Sequence, residues 1–181
     1  MSQPHDFKIR LAFFALLVAS VAILAAAFAF QLLGGLQPCE LCLWQRYPYG
    51  LVIGLAGVGL GLTRAGVAQS RLVIILVVCA IVLLIGAGIA AFHVGVEQTW
   101  WQGTAACAGN LSATTSIDDL RQKLLAAPVV RCDDIAWSLF GISMAGYNVL
   151  MAGALGAGGL IAAWRLAKRA PQSLPLARRT S

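Results

Sequence analysis

The chain has 181 residues, of which 60% are hydrophobic and only 11% are charged, and its mean hydropathy is +0.83. Soluble domains have roughly a quarter of their residues charged, so this composition excludes an ordinary soluble protein and indicates a polytopic membrane protein. The net charge of +6 does not indicate a nucleic-acid partner, because the basic residues are spread over short segments that flank apolar runs.

Four apolar segments are each long enough to cross a hydrocarbon core, which needs about 20 residues. They are residues 11–33, 43–62, 72–92 and 135–164. The predicted fold is therefore all-α, with one membrane domain over residues 1–181 built as a four-transmembrane-helix bundle. Polar tails at 1–10 and 165–181 flank the bundle, and loops at 34–42 and 93–134 connect its helices on one side.

The distribution of charge orients these predicted spans. Nine of the 13 basic residues fall in the two tails and in the loop 63–71, whereas six of the seven acidic residues fall in or beside the loops 34–42 and 93–134. Because basic residues mark the cytoplasmic side, both termini are predicted to be cytoplasmic and those two loops to lie outside.

Cysteine positions agree with this orientation. Cys39, Cys42, Cys107 and Cys132 all fall on the outer side, where disulfides persist. Cys79 lies alone in the middle of the third span, where a small apolar filler between helices is expected.

The first outer loop carries a Cys-x-x-Cys pair, Cys39 and Cys42, which can store two electrons as a dithiol and release them on closing to a disulfide. If the chain is continuously helical here, Arg46 lies on the same face one turn after Cys42, and its guanidinium would favour a thiolate. Pro48 cannot donate to the carbonyl of Trp44, so either the helix kinks or a short turn carrying the cysteines precedes the main helix. The pair could also be half of a zinc site or two inert thiols, but no second Cys/His pair has zinc spacing, and no metal is predicted.

Polar and small residues inside the spans are expected to serve helix packing. The second span has two small-xxx-small pairs, which predict close approach of a neighbouring helix. These glycines are Gly50, Gly54, Gly57 and Gly61. Asn148, in the fourth span, is expected to form an interhelical hydrogen bond.

The second outer loop, residues 93–134, is too short to bury a core of its own. Ser116 followed by acidic residues predicts the start of a short amphipathic helix lying on the membrane surface, and Pro128 ends it. Cys107 and Cys132 enclose this helix. A disulfide between them could be purely structural, or it could exchange with a protein thiol that reaches the exposed loop.

Electrons delivered to Cys39 and Cys42 need an acceptor. The sequence has no haem-attachment motif, no Rossmann glycine pattern and too few histidines for a di-haem bundle. A lipid-soluble acceptor fits the depth of the site, with Arg46 and His93 as the polar groups expected beside it. His93 could equally be an interfacial histidine bonded to a helix carbonyl, and Glu97 could orient it.

These features together resemble the DsbB family, the quinone-dependent thiol oxidases of the bacterial inner membrane. The resemblance covers about residues 11–164. It is carried by Pro38-Cys39-Glu40-Leu41-Cys42 with Arg46, by the loop pair Cys107 and Cys132, and by four spans with both ends inside. It implies a DsbA-type periplasmic thiol oxidase as partner, and a membrane quinone, ubiquinone rather than menaquinone, as cofactor.

The resemblance also implies a role for each cysteine. The reduced DsbA-type protein would form a mixed disulfide with Cys107, and Cys132 would carry the exchange to Cys39. The Cys42 thiolate would pass the electrons to quinone.

Three further residues take their interpretation from the same resemblance. Arg46 would stabilise the Cys42 anion and the quinone, and His93 would lie beside the quinone. Glu40 departs from the pattern of the family that the chain resembles, in which an apolar residue is expected at this position. A carboxylate next to a thiol opposes thiolate formation, which bears on the redox potential and not on the reaction type.

Two alternatives stay open. One is a VKOR-like oxidoreductase with the same chemistry, in which the quinone-facing cysteine pair lies late in the bundle, whereas here it precedes the second span. The other is a non-enzymatic membrane scaffold with structural disulfides, for which Cys39→Ser would leave function intact.

Overall fold

The computed structural model describes residues 4–104, 107 and 130–169 of a mostly helical chain. The helices are α1 (Pro4–Leu32), α2 (Glu40–Trp44), α3 (Arg46–Arg64), α4 (Gln69–Glu97) and α5 (Met144–Arg169). Two short strands, β1 (Ser138–Leu139) and β2 (Ile142–Ser143), precede α5. The predicted surface helix that starts at Ser116 lies outside the described residues.

Within the described residues, three helices are long and apolar enough to cross a membrane. They are Phe7–Leu32, Gln69–Glu97 and Met144–Lys168. The helix α3 overlaps the predicted second span and is long enough, but it is not among the three, because its terminal arginines and its glycines lower its mean hydropathy. The chain is thus a multi-pass membrane protein, while the count of four spans stays a prediction.

The prediction of an all-α fold is wrong just before α5. The predicted span 135–164 becomes helical only at Met144, because β1 and β2 form an antiparallel hairpin first. The two turn residues, Phe140 and Gly141, have φ angles of 52° and 78°. Two consecutive positive φ values are typical of the type I′ turn, whose twist matches that of paired strands.

The helices pack in the series α1, α3, α4, α5. Between α1 and α3, the fully buried ring of Phe13 lies against Gly59, where a Cβ atom would be 2.6 Å from the ring Cε1. Among the described residues, the four glycines predicted to mediate close packing have no atom of a neighbouring helix within 4 Å of a Cβ position. That prediction is wrong, because the α1–α3 contact falls at Gly59, outside both small-xxx-small pairs.

Gly59→Val is expected to destabilise the bundle by about 1–3 kcal/mol, as overpacking of a filled contact usually does, because its side chain would overlap the ring of Phe13. Gly57→Val adds the same side chain to the same helix where there is open space, and should change stability by less than about 0.5 kcal/mol. The measurement is the midpoint of thermal unfolding of the full chain in detergent. Equal midpoints for the two variants would contradict the described packing of α1 on α3.

The bundle has a basic end and a cysteine end. Lys8 of α1 and Arg165 of α5 line one surface cavity, and Gln69 at the start of α4 donates a hydrogen bond of 3.1 Å to the carbonyl of Leu166. Helix α4 runs from this end to His93, beside the cysteines. Lys8 and Arg165 therefore lie at the opposite end of α4 from His93 and the cysteines, while the predicted orientation of the chain in the membrane stays a prediction.

Candidate functional site

Cys39 is the N-cap residue of α2 and Cys42 lies within α2, ahead of α3. The sulfur of Cys39 caps α2 by accepting a hydrogen bond of 3.2 Å from the backbone N–H of Cys42, and the two Sγ atoms are 2.7 Å apart. Because α2 ends at Trp44 and α3 begins at Arg46, Cys42 and Arg46 do not share a continuous helix. Of the two arrangements that Pro48 allows, the structure has the short element before the main helix.

The two sulfurs of this pair differ in acidity. The pKa of Cys42 is lowered, mainly because the thiol of Cys39 donates a hydrogen bond to its sulfur, and a backbone hydrogen bond from Cys39 and the charge of Arg46 act in the same direction. Burial and the carboxylate of Glu97 oppose this effect. The hydrogen bond to Cys42, together with burial, raises the pKa of Cys39, while His93 lowers it. Cys42 is therefore the more acidic sulfur of the pair.

Alkylation of Cys42 by iodoacetamide is expected to have a pH midpoint below the ordinary thiol pKa of about 8.5, because only the thiolate reacts. A lowered pKa means that the thiolate, and hence reactivity, persists as the pH falls. Cys39→Ala removes the stabilising donor and should move the midpoint upward, whereas Cys39→Ser keeps an O–H donor and should move it less. The measurement is the alkylation rate against pH, by mass spectrometry in a Cys79→Ala background. If the pH midpoint of Cys42 alkylation is the same in Cys39→Ala as in the parent, then Cys39 does not stabilise the Cys42 thiolate.

The second cysteine pair, Cys107 and Cys132, forms a disulfide. It is buried in one cluster with Cys39, Leu41 and Val96. Both cysteine pairs, far apart in the sequence, therefore belong to one packed group.

Glu40, which lies between the two cysteines of the Cys-x-x-Cys pair, is directed toward the loop disulfide. Its Oε2 accepts a hydrogen bond of 3.1 Å from the hydroxyl of Thr104, which also lies 3.4 Å from the Sγ of Cys107. The carboxylate that raises the pKa of Cys42 is Glu97. The effect expected of Glu40 is thus exerted on Cys42 by a different acid.

His93 is 3% exposed and lies on α4, which continues to Glu97 instead of ending at residue 92. Its Nε2 is 3.6 Å from the Sγ of Cys39 and 3.2 Å from the carbonyl oxygen of Cys132. One imidazole nitrogen therefore contacts both cysteine pairs. Its Nδ1 is 2.8 Å from the Nε2 of Gln45, a residue that the sequence analysis did not single out.

Arg46 contacts α1 through its guanidinium. Its Nη1 donates a hydrogen bond of 2.7 Å to the Oε1 of Gln31, and its charged group lies over the ring of Phe28, 4.8 Å from the centroid. Neither partner was predicted. The isolated glutamine near the end of an apolar run was the available signal, since a buried polar side chain needs a partner.

A cavity of about 500 Å³ lies beside Cys42, Arg46 and His93. Its other lining side chains are mostly apolar, and the rings of Phe30 and Trp137 meet in its wall with centroids 5.3 Å apart. Small-molecule sites commonly have volumes of roughly 300–1,000 Å³, with apolar walls and a few convergent polar groups. The size, aromatic wall and polar groups suit the flat head of a lipid-soluble acceptor.

Cys39, Cys42 and His93 also offer three metal-ligating atoms that lie within 4.8 Å of one another. The sequence analysis predicted no metal because it found no second ligand pair at zinc spacing. His93 joins the cysteines only through folding, so sequence spacing does not reveal this set. Three donors are one fewer than the four protein ligands typical of a structural zinc site.

Comparisons with known proteins agree with the resemblance found in the sequence. The family model "Disulfide bond formation protein DsbB" matches residues 9–162. The proteins named "Disulfide bond formation protein B" from Polaromonas sp. and Methylococcus capsulatus are 32% and 30% identical to the chain. These alignments cover 84% and 79% of this chain, and 89% and 87% of the respective relatives. The corresponding protein of Xylella fastidiosa is 29% identical, over 82% of this chain and 86% of its own. No solved structure is significantly similar.

Proposed function

Because the chain belongs to the DsbB family of membrane disulfide-forming oxidoreductases, we propose that it reoxidises a periplasmic DsbA-type dithiol oxidase and passes the electrons to membrane quinone. Through this reaction it would support disulfide bond formation in secreted proteins. The observation that carries the proposal is the convergence of both cysteine pairs on His93, beside a cavity that Cys42 lines.

The proposed setting is the bacterial inner membrane, with one membrane domain of four spans, both termini cytoplasmic and both cysteine pairs periplasmic. The basic end of the bundle, with Lys8 and Arg165, supports this orientation. Helix α3 would be the remaining span. It packs between α1 and α4, so neighbouring helices cover part of its less apolar surface.

Thiol–disulfide exchange would start at the loop disulfide. The thiolate of the partner attacks the Sγ of Cys107, the Cys107–Cys132 bond breaks, and the electron pair leaves on Cys132. The Cys132 sulfur then attacks Cys39 of the oxidised Cys39–Cys42 pair, and the electron pair leaves on Cys42. Packing of Cys39 and Cys132 in one buried cluster supports this step, as does the lowered pKa of Cys42.

Resolution of the mixed disulfide would return the loop to its starting state. The second thiol of the partner attacks the partner sulfur bonded to Cys107, which releases oxidised partner and the Cys107 thiolate. That thiolate attacks Cys132 in the Cys39–Cys132 bond and re-forms the loop disulfide. Both electrons are then held by Cys39 and Cys42, which are free in the structure while Cys107 and Cys132 are bonded.

A bound quinone would supply an acceptor for two electrons and two protons. Arg46 would hold it by donating a hydrogen bond, and Phe30 and Trp137 would contact its ring from the cavity wall. Cys42 and His93 line the same cavity, so the anionic sulfur has direct access to it. We expect ubiquinone rather than menaquinone.

Anaerobic mixing of the purified full chain with a reduced DsbA-type partner tests this function. Water-soluble ubiquinone and menaquinone analogues are supplied in separate reactions. Quinone absorbance and partner thiols are followed together, and one quinone should be reduced for each partner disulfide formed. Absence of quinone consumption with either analogue, while the partner remains competent toward a chemical oxidant, would count against the proposal.

A further inference from the structure

A series of side-chain hydrogen bonds leads from the bundle interior to His93. The hydroxyl of Tyr49 donates to the Oδ1 of Asn148, whose Nδ2 donates to the Oε1 of Gln45 at 2.6 Å. The Nε2 of Gln45 is 2.8 Å from the Nδ1 of His93. These four side chains, here called the polar series, come from α3, α4, α5 and the turn before α3. The interhelical hydrogen bond predicted for Asn148 is confirmed.

One backbone carbonyl fixes the direction of every bond in the polar series. The carbonyl oxygen of Cys132 can only accept, so the Nε2 of His93, 3.2 Å away, must carry the proton. In a neutral imidazole the Nδ1 must then accept, which requires the amide nitrogen of Gln45 to face it. The Oε1 of Gln45 is left to accept from Asn148, and the Oδ1 of Asn148 to accept from Tyr49.

We propose that Gln45, held by Asn148 and Tyr49, is a positioning residue that keeps His93 in the Nε2–H tautomer. In this tautomer the proton-bearing nitrogen faces the sulfur of Cys39. The proposal rests on the proposed function, because it assigns the polar series to the thiol exchange that this function requires.

The tautomer matters because two electron-rich atoms share the Nε2 of His93. That nitrogen lies 3.2 Å from the Cys132 carbonyl oxygen and 3.6 Å from the Cys39 sulfur. An N–H there attracts both atoms and stabilises negative charge that develops on Cys39 when its bond to Cys132 breaks. The opposite tautomer would direct a lone pair at the same two atoms, which would repel both.

Burial makes the polar series sensitive to a single substitution. Gln45, Tyr49 and His93 are buried and Asn148 is half-buried beside the cavity, so an amide that loses its partner here has few protein groups with which to replace it. Each amide of the series uses its oxygen to accept and its nitrogen to donate. Replacing Gln45 therefore removes the donor to His93 and leaves the Nδ2 of Asn148 unpaired.

The tautomer can be measured directly, because the chain has two histidines and His5→Gln leaves only His93. The full chain is labelled with 15N-histidine and reduced at Cys39 and Cys42. Nitrogen chemical shifts are recorded in detergent at a pH where the ring is neutral. We expect Nε2–H in the parent and a mixed population in Gln45→Leu. Gln45→Glu keeps the side-chain size but offers only acceptors, so a proton should move to Nδ1.

Turnover with the DsbA-type partner and quinone is measured on the same variants. Gln45→Leu should lower it by about tenfold or more, a loss of the size seen when the hydrogen-bond partner of a metal-ligating histidine is removed. Gln98→Leu removes an exposed amide just after α4 and should change neither readout.

Two results would overturn the proposal: Nδ1–H as the main tautomer of the parent, or a tautomer unchanged in both Gln45 variants. A shifted tautomer with unchanged turnover would overturn the role in exchange. Absence of turnover in the parent, with Nε2–H present, would instead count against the proposed function.

Discussion

Cys42→Ser is expected to lower quinone reduction by a factor of about 10³ or more. A serine hydroxyl does not ionise in the accessible pH range and cannot form a disulfide, so the electron pair released from Cys39 has no sulfur to leave on. Two features support this expectation: Cys42 lines the cavity, and it is the more acidic sulfur of the pair. Initial rates of quinone reduction under anaerobic conditions, with the reduced DsbA-type partner in excess, provide the measurement.

Cys79→Ala is the matched control for this variant. Cys79 is likewise a free cysteine, but it is buried in the packed centre of the bundle and does not line the cavity. Its removal should leave turnover unchanged. If Cys42→Ser kept turnover at the level of Cys79→Ala, the assigned chemistry would be wrong and the scaffold alternative would gain support.

The loop disulfide is expected to be needed for oxidation of the partner but not for reduction of the quinone. Cys132→Ser should lower partner-dependent turnover by about 10³-fold or more, since the loop disulfide that the partner thiolate attacks in the proposed function is gone. Dithiothreitol is small enough to reduce the Cys39–Cys42 disulfide directly, so quinone reduction driven by dithiothreitol should continue in this variant. Comparing the two reductants on one preparation separates loss of exchange from loss of folding.

Cys39→Ser is the control for the reductant comparison. It removes one sulfur of the pair beside the cavity, so it should abolish turnover with both reductants. Partner-dependent turnover at the parent level in Cys132→Ser would mean that the Cys107–Cys132 disulfide is structural only, the other interpretation that spacing allows.

Long apolar runs made the helical part of the fold predictable, because a membrane span needs only length and composition. The hairpin before α5 was not predictable in this way, since a short apolar segment fits a strand or a helix equally well. The useful signal was Gly141, which follows Phe140 at the turn with a positive φ angle. Helix α3 is less apolar than the other long helices because of its glycines and its terminal arginines.

The candidate reactive residues were easier to predict from the sequence than the residues that contact them. The spacing of Cys39 and Cys42 and the position of Arg46 are local features, so a short sequence motif is enough to identify them. The contact of Gln45 with His93 joins residues 48 positions apart, and it depends on how α4 packs against the turn before α3. Spacing cannot reveal such a contact, although a glutamine next to an apolar span indicates that a buried partner exists.

The capping of α2 has a consequence for how the site changes during turnover. The sulfur of Cys39 closes the first turn of α2, and in the proposed function it would also be the atom that exchanges bonding partners. An N-cap contributes about 1 kcal/mol, and a helix of five residues has too few internal bonds to persist alone. In the proposed function, each turnover would therefore weaken and restore the cap of this single turn, so the amide of Cys42 is expected to exchange its hydrogen at a rate that follows the oxidation state of the neighbouring sulfur.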